Sequence, residues 1–250
     1  MNILNVRIDN LEKKEIIEKI ENFLGAEKFH QIATINPEFI LAAQKNREFR
    51  DILNNCDLNL ADGAGIKFAF WRLGGKLKVR ISGVDLMWEI LRTANDKKLS
   101  VYLVANNRGL SNWEKTRDAI RKIYPDLKIE GLNMNCHSER SDSEAEESNF
   151  KISSRSLGHA RNDIFNSDIV FCNFGHPNQE KFLNTLKNGK IKLAVGVGGS
   201  FDFVTGKLRR APRFMRDLGL EWLFRLIQQP KRFRRIFNAI IIFPIKVFFK

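Results

Sequence analysis

The 250-residue chain is 43% hydrophobic and 28% charged, proportions that fit one globular domain with an ordinary core and exclude a chain too polar to fold. Three cysteines, Cys56, Cys136 and Cys172, stand far apart with no CxxC pair, which argues against a zinc knuckle or thioredoxin-like site and suits a reducing compartment. The net charge of +13 is concentrated at one end: residues 207–250 hold twelve Lys or Arg against Asp217 and Glu221, a net of +10.

Met1 to Asn10 carries Arg7 and Asp9 and lacks the apolar stretch of a secretory signal. Leu11, Ile16, Ile17, Ile20, Phe23 and Leu24 then fall at helical spacing, with Asn10 as the expected N-cap. HQIATI reads as a buried strand closed by Asn36-Pro37, and Pro37 suits the first turn of a helix carrying Phe39, Ile40, Ala43 and Phe49. LNLADG is a second strand and turn, followed by a helix towards Leu73. SVYLVA is a third strand, with a helix expected over Arg108 to Tyr124. LKIEG, DIVFCNFG and IKLAVGVGG are the fourth, fifth and sixth strands. This alternation predicts an α/β fold with an open, mostly parallel sheet and flanking helices.

The stretch from Cys136 to Ala160 is rich in Ser and Glu and poor in large apolar residues, so a disordered insertion is expected there. Beyond it, Ala211 to Gln228 predicts a helix. Pro230 interrupts, and Phe233, Ile236, Phe237, Ile240 and Ile241 resume the pattern among Lys231, Arg232, Arg234 and Arg235. A basic amphipathic element of this kind suits a membrane interface. The longest uninterrupted apolar run, Ala239 to Ile245, is too short to span a bilayer. The expected organisation is a core over 1–206, containing the 136–160 insertion, and a basic appendage over 207–250.

Ligands of open parallel sheets sit beyond the carboxyl ends of the strands, so the polar residues there carry the functional reading. Thr34 and Asn36 offer a hydroxyl and an amide, or ordinary turn chemistry. Asp62, beside Gly63 and Gly65, can act as a general base or cap the next helix; the sequence leaves both open. Arg80, ahead of Ser82 and Gly83 at a helix start, is a phosphate grip, and Asp85 complements the helix dipole. In GHPNQEK, Pro177 opens a helix and Gln179 can read hydroxyls or a base edge, while His176 is more naturally a loop histidine than a catalyst. GVGGS fails the dinucleotide fingerprint because position 201 is Phe, and Gly206-Lys207 followed by Leu208 fails the P-loop pattern.

Taken in order, TINPEF, ADGAGI, RISGVDL, GHPNQEK and the long stretch GVGGSFDFVTGKLRRAPRFMRDLGLEWLFRL resemble the WecG/TagA/CpsF family of bacterial glycosyltransferases, from about Thr34 to Arg235. The resemblance implies a Rossmann-like core with a C-terminal appendage. It also implies inverting transfer of N-acetylmannosamine, or a related sugar, from a UDP donor. The implied acceptor is undecaprenyl diphosphate-linked N-acetylglucosamine, and the products serve teichoic acid or other surface polysaccharides. No cofactor or metal is implied. By the same resemblance Asp62 is the catalytic base, and Thr34, Asn36, Arg80 and Gln179 are substrate-site residues. Arg225, Arg232 and Arg235 are appendage arginines that close over the diphosphate. On an unbroken helix their spacing of seven and three would place them within one arc. His176 departs from the pattern, standing where many members carry a small residue.

The expected partners are therefore the sugar nucleotide, the lipid-linked acceptor and an anionic membrane surface, with self-association open and no nucleic acid. The expected location is the cytoplasm, peripherally attached to the inner face of the cell membrane. Two rival readings remain: a basic nucleic-acid-binding protein, which leaves the strand-end polar clusters unexplained, and a non-catalytic membrane scaffold using only the appendage.

Overall fold

A computed structural model describes residues 1–135 and 162–249. The insertion expected from Cys136 to Ala160 lies outside the described residues. A short antiparallel pair, β1 (Asn2–Ile3) and β2 (Val6–Arg7), precedes a six-stranded sheet of β3 (His30–Ile35), β4 (Leu58–Ala61), β5 (Val101–Asn106), β6 (Ile129–Met134), β7 (Ile169–Cys172) and β8 (Leu193–Gly196). The order is β4-β3-β8-β7-β5-β6, and every neighbouring pair is parallel. All six strands expected from the sequence are present, in an α/β architecture with a Rossmann-like open sheet.

Parallel strands need long crossovers, and the helices that supply them cover both faces of the sheet. Central strands are therefore apolar on both sides, as in β3, where every residue is buried. Alternation then sorts side chains between layers. In β5, Val101, Leu103 and Ala105 pack with Leu86, Met87 and Ile90 of the helix Gly83–Asp96, while Tyr102 and Val104 face Phe182 and Leu183 of the helix Asn178–Asn184.

Several boundaries differ from the sequence reading. The first helix, Lys13–Gly25, starts at Glu12, which exchanges hydrogen bonds with Glu15 in a capping box. Asn10 instead bonds the Lys76 carbonyl and the Lys78 N–H, at 2.9 and 2.8 Å, tying down the loop before Arg80. The helix expected from Arg108 begins only at Trp113, because the Asn112 side chain caps it; Arg108 and Gly109 stay in a turn beside the sheet's carboxyl edge.

The expected helix over Ala211 to Gln228 is two helices, Arg213–Asp217 and Glu221–Gln228. Gly219 separates them in the left-handed region (φ 75°), and a Cβ there would come within 2.9 Å of the Ala64 side chain. Further on, Phe233–Phe237 and Phe243–Phe248 flank one wide turn over Asn238–Ile242. Pro244, which has no N–H and crowds the carbonyl four residues back, accounts for the widening.

The basic segment is folded onto the body rather than appended loosely. Phe243 and Val247 are fully buried in one core cluster with Phe70, Ala69, Ile40 and Ala43. Replacing Phe243 by Ala should therefore cost about 3–5 kcal/mol of stability. Denaturant unfolding checks this; a change no larger than that of an exposed Phe249→Ala control would show that the segment is not part of the core.

Candidate active site

A cleft of about 370 Å³ opens beyond the carboxyl ends of the strands. Its floor comes from residues at the ends of five strands: Thr34 and Asn36 at the end of β3, Asp62 after β4, Asn106 at the end of β5, Asn173 after β7 and Gly198 after β8. Its other wall comes from the basic segment, through Glu221, Trp222, Arg225, Arg232 and Arg235. All eight residues singled out from the sequence, Thr34, Asn36, Asp62, Arg80, Gln179, Arg225, Arg232 and Arg235, line this one cleft.

They differ in what their polar atoms do. Asn36 caps the helix Pro37–Lys45, its Oδ1 accepting from the N–H groups of Glu38 and Phe39. Thr34 Oγ1 donates to the Gly196 carbonyl at 3.4 Å, across neighbouring strands. Arg80 donates to the Arg216 carbonyl at 2.8 Å and so fastens the basic segment to the core. Gln179 is buried: its Oε1 accepts from the N–H groups of Gly175 and Gly198, both at 3.0 Å, and its Nε2 donates to Glu180 Oε1 at 2.6 Å. One amide thus joins the loops after β7 and β8. Both glycines have positive φ, which lets their N–H groups turn inward to it.

Asp62 is different. The cap of the following helix, Ala64–Arg72, is Gly63, and no side chain caps it. The Asp62 carboxylate accepts no hydrogen bond among the described residues and faces the cleft. Burial pushes its pKa up to about 7, with Glu221 adding to the rise while Arg80 and Arg225 oppose it. Such a group changes charge near neutral pH.

The arginines crowd together without forming one continuous helix. Gln229 (φ −135°, ψ 73°) and Pro230 break the chain between Arg225 and Arg232, so helical phase does not align them; the turn itself returns the chain to the cleft. Arg225 lies over the Phe203 ring, 5.2 Å from its centroid, and its Nε has no partner among the described residues. Arg235 pairs with Glu38, its Nε donating at 2.8 Å. Burial, then mutual repulsion, disfavours the charged forms of Arg225 and Arg232. For Glu38, burial pushes the pKa up, but the Arg235 cation outweighs it and holds the carboxyl below its ordinary range.

The His176 ring lies tilted against Phe39, with ring centroids 4.8 Å apart, and burial lowers its pKa to about 4, leaving it neutral at neutral pH. It packs the rim rather than holding a charge. Sequence reasoning passed over Asn106, Arg108, Asn173, Asp202, Glu221 and Trp222, which also line the cleft. For Asn106 the signal was available, since it follows an expected strand; Asn173 was read as part of a strand that in fact ends at Cys172, and its Oδ1 accepts the Asn106 N–H at 2.6 Å. Among the described residues, no three His, Cys, Asp or Glu side chains gather as a metal site would require.

The family model described as "Glycosyl transferase WecG/TagA/CpsF family" matches residues 1–250. Three relatives share the name N-acetylglucosaminyldiphosphoundecaprenol N-acetyl-beta-D-mannosaminyltransferase. One from Bacillus subtilis (strain 168) is 34% identical over 232 residues, 92% of this chain and 81% of its own. One from Bacillus spizizenii is 30% identical over 217 residues, covering 86% and 78%. One from Staphylococcus aureus (strain MRSA252) is 29% identical over 250 residues, covering 99% and 91%.

Under the cleft, Glu180 is buried and its Oε2 has no partner among the described residues. Burial raises its pKa from 4.5 to about 8, against the opposing hydrogen bond from Gln179. The folded state keeps this proton while the unfolded chain releases it, so the Glu180 contribution to stability should fall as pH rises from about 4.5 to about 8. Glu180→Gln keeps an acceptor for Gln179 and removes the titration. Its stability relative to the parent should therefore climb across that range in urea unfolding; a pH-independent difference would refute the assignment.

Proposed function

The chain belongs to the WecG/TagA/CpsF family of glycosyl transferases, and on that footing we propose that it moves N-acetylmannosamine, or a closely related sugar, from a UDP donor to undecaprenyl diphosphate-linked N-acetylglucosamine. The observation that carries this reading is a carboxylate with no hydrogen-bond partner among the described residues, Asp62, in one cleft with the arginines Arg225, Arg232 and Arg235.

An inverting transfer is a single displacement. The acceptor hydroxyl attacks the anomeric carbon, a base takes its proton, and the nucleoside diphosphate leaves from the opposite face. Asp62 supplies the base: with a pKa near 7 it is ionised in a useful fraction of molecules and still basic enough to accept a proton. Charge grows on the departing diphosphate, and Arg225, Arg232 and Arg235 supply the compensating cations in a partly water-excluded site, without a metal. Crowding these cations is costly, and an anionic diphosphate offsets that repulsion. Thr34, Asn36, Arg80 and Gln179 shape the floor on which the sugars lie.

The core over 1–206 then binds and positions the substrates, and the segment over 207–250 closes the cleft and holds the protein at the inner face of the membrane. No helix among the described residues is long and apolar enough to cross a bilayer, and a lipid-linked acceptor requires only that the cleft reach the membrane surface.

The direct test is incubation with a panel of UDP-sugars and a lipid-diphosphate-linked N-acetylglucosamine acceptor, with mass analysis of the product. Asp62→Asn and Asp62→Ala should each cut turnover by about 100-fold or more while leaving the fold intact. In the parent, turnover should rise with pH and level off above about 7, because the ionised carboxylate is the active form. Undiminished turnover in both variants would remove Asp62 from the chemistry. Arg225→Ala should lower turnover by a factor of about 10² to 10³; an unchanged rate would place diphosphate stabilisation elsewhere.

A further inference from the structure

The helices after Pro230 have two apolar faces. Ile236, Phe243 and Val247 lie on one side and are buried against the body. Phe233, Phe237, Ile241, Ile245 and Phe248 fall at spacings of four, four, four and three, which makes a single stripe on another side, and all five are exposed. Packing among the described residues accounts for the first face only.

The exposed stripe does not end at the basic segment. A Cβ on Gly65 would lie 3.6 Å from both the Ala239 carbonyl and the Phe243 ring. At the other end, Arg72 donates to the Phe248 carbonyl at 3.1 Å and sits 4.6 Å over the Phe248 ring. The segment from Ala239 to Phe248 therefore runs alongside the helix Ala64–Arg72 in the same direction. Next to Arg72, Trp71 is 71% exposed and Leu73 is also open to solvent.

We propose that Trp71 and Leu73 of the core join the Phe237, Ile241, Ile245 and Phe248 stripe in one docking surface for an anionic lipid bilayer. Charge chooses the occupant. Exposed Lys67, Arg72, Arg234 and Lys246 flank the apolar residues, within a chain whose last 44 residues carry +10. A second copy would bring the same charge against itself. An anionic membrane answers both the cations and the apolar stripe, and an aromatic side chain such as Trp71 is suited to the headgroup boundary.

This inference rests on the membrane reading above and extends it from the basic segment to the body of the enzyme. Trp71 lies in the last turn of the helix Ala64–Arg72, which begins two residues after Asp62. Seven residues of helix at about 1.5 Å each set Ala64 and Trp71 roughly 10 Å apart along the axis. Docking both ends of the surface would therefore fix how the cleft stands above the lipid headgroups.

The test uses the full chain and vesicles of mixed phosphatidylglycerol and phosphatidylcholine. Trp71→Ser with Leu73→Ser should weaken vesicle cosedimentation by about tenfold, and transfer to a short-chain, water-soluble acceptor should be unchanged. With the other three tryptophans replaced by Phe, Trp71 emission should shift to the blue on adding these vesicles and be quenched by brominated lipid. Unchanged binding and unchanged Trp71 emission overturn the inference. If Phe237→Ser, Ile241→Ser and Phe248→Ser then abolish binding, only the extension to the core fails; if they too leave it intact, the membrane reading itself fails. Trp71 burial that depends on protein concentration without lipid would overturn the inference in favour of self-association.

Discussion

Because every strand of the main sheet runs the same way, every strand brings its carboxyl end to the same edge. Thr34, Asp62, Asn106, Asn173 and Gly198 are scattered over more than 160 positions of sequence, yet parallel pairing brings them to one rim. Antiparallel pairing would have sent alternate members to the opposite end. The cleft is thus a consequence of strand direction before it is a consequence of any particular side chain.

That rim supplies polar groups but little cationic charge of its own beyond Arg80 and Arg108. The basic segment supplies the rest, and its arrival changes the chemistry of the floor. Asp62 is raised by burial and by Glu221, an acid from the segment, and restrained by Arg225, a base from the same helix. Core and segment therefore set the proton affinity of this carboxylate together. Glu180 plays a different part below the surface, holding the amide of Gln179 so that the loops after β7 and β8 keep their separation.

The strands were legible because buried parallel strands are short runs of Val, Ile, Leu and Ala, and few other segments look like them. The strand-end reading followed from topology and found the floor of the cleft. Helix boundaries were less legible, for specific reasons. Asn10 looked like a cap but serves a distant loop, and Glu12 caps through a side chain whose partner lies three residues away. Gly219 looked unremarkable inside an apolar pattern; its left-handed backbone reflects close approach to Ala64, a tertiary fact. The convergence of Arg225, Arg232 and Arg235 was expected from helical phase and occurs through a chain break instead. Asn36 and Gln179 stood out as ligand-facing polar residues, whereas the structure engages much of their hydrogen-bonding capacity within the protein.

The basic segment is joined to the body by two unlike fastenings. Near its start, Arg210 grips Asp85 and Ser82 with a forked ion pair, and Arg80 holds the Arg216 carbonyl. Near its end, Phe243 and Val247 are sunk in hydrocarbon. The first kind of attachment is directional and depends on the geometry of a few polar atoms, whereas the second depends on apolar area removed from water. The wall beside Asp62 is thus held at one end by charge and geometry and at the other by buried hydrocarbon, so no single substitution at either end removes both attachments.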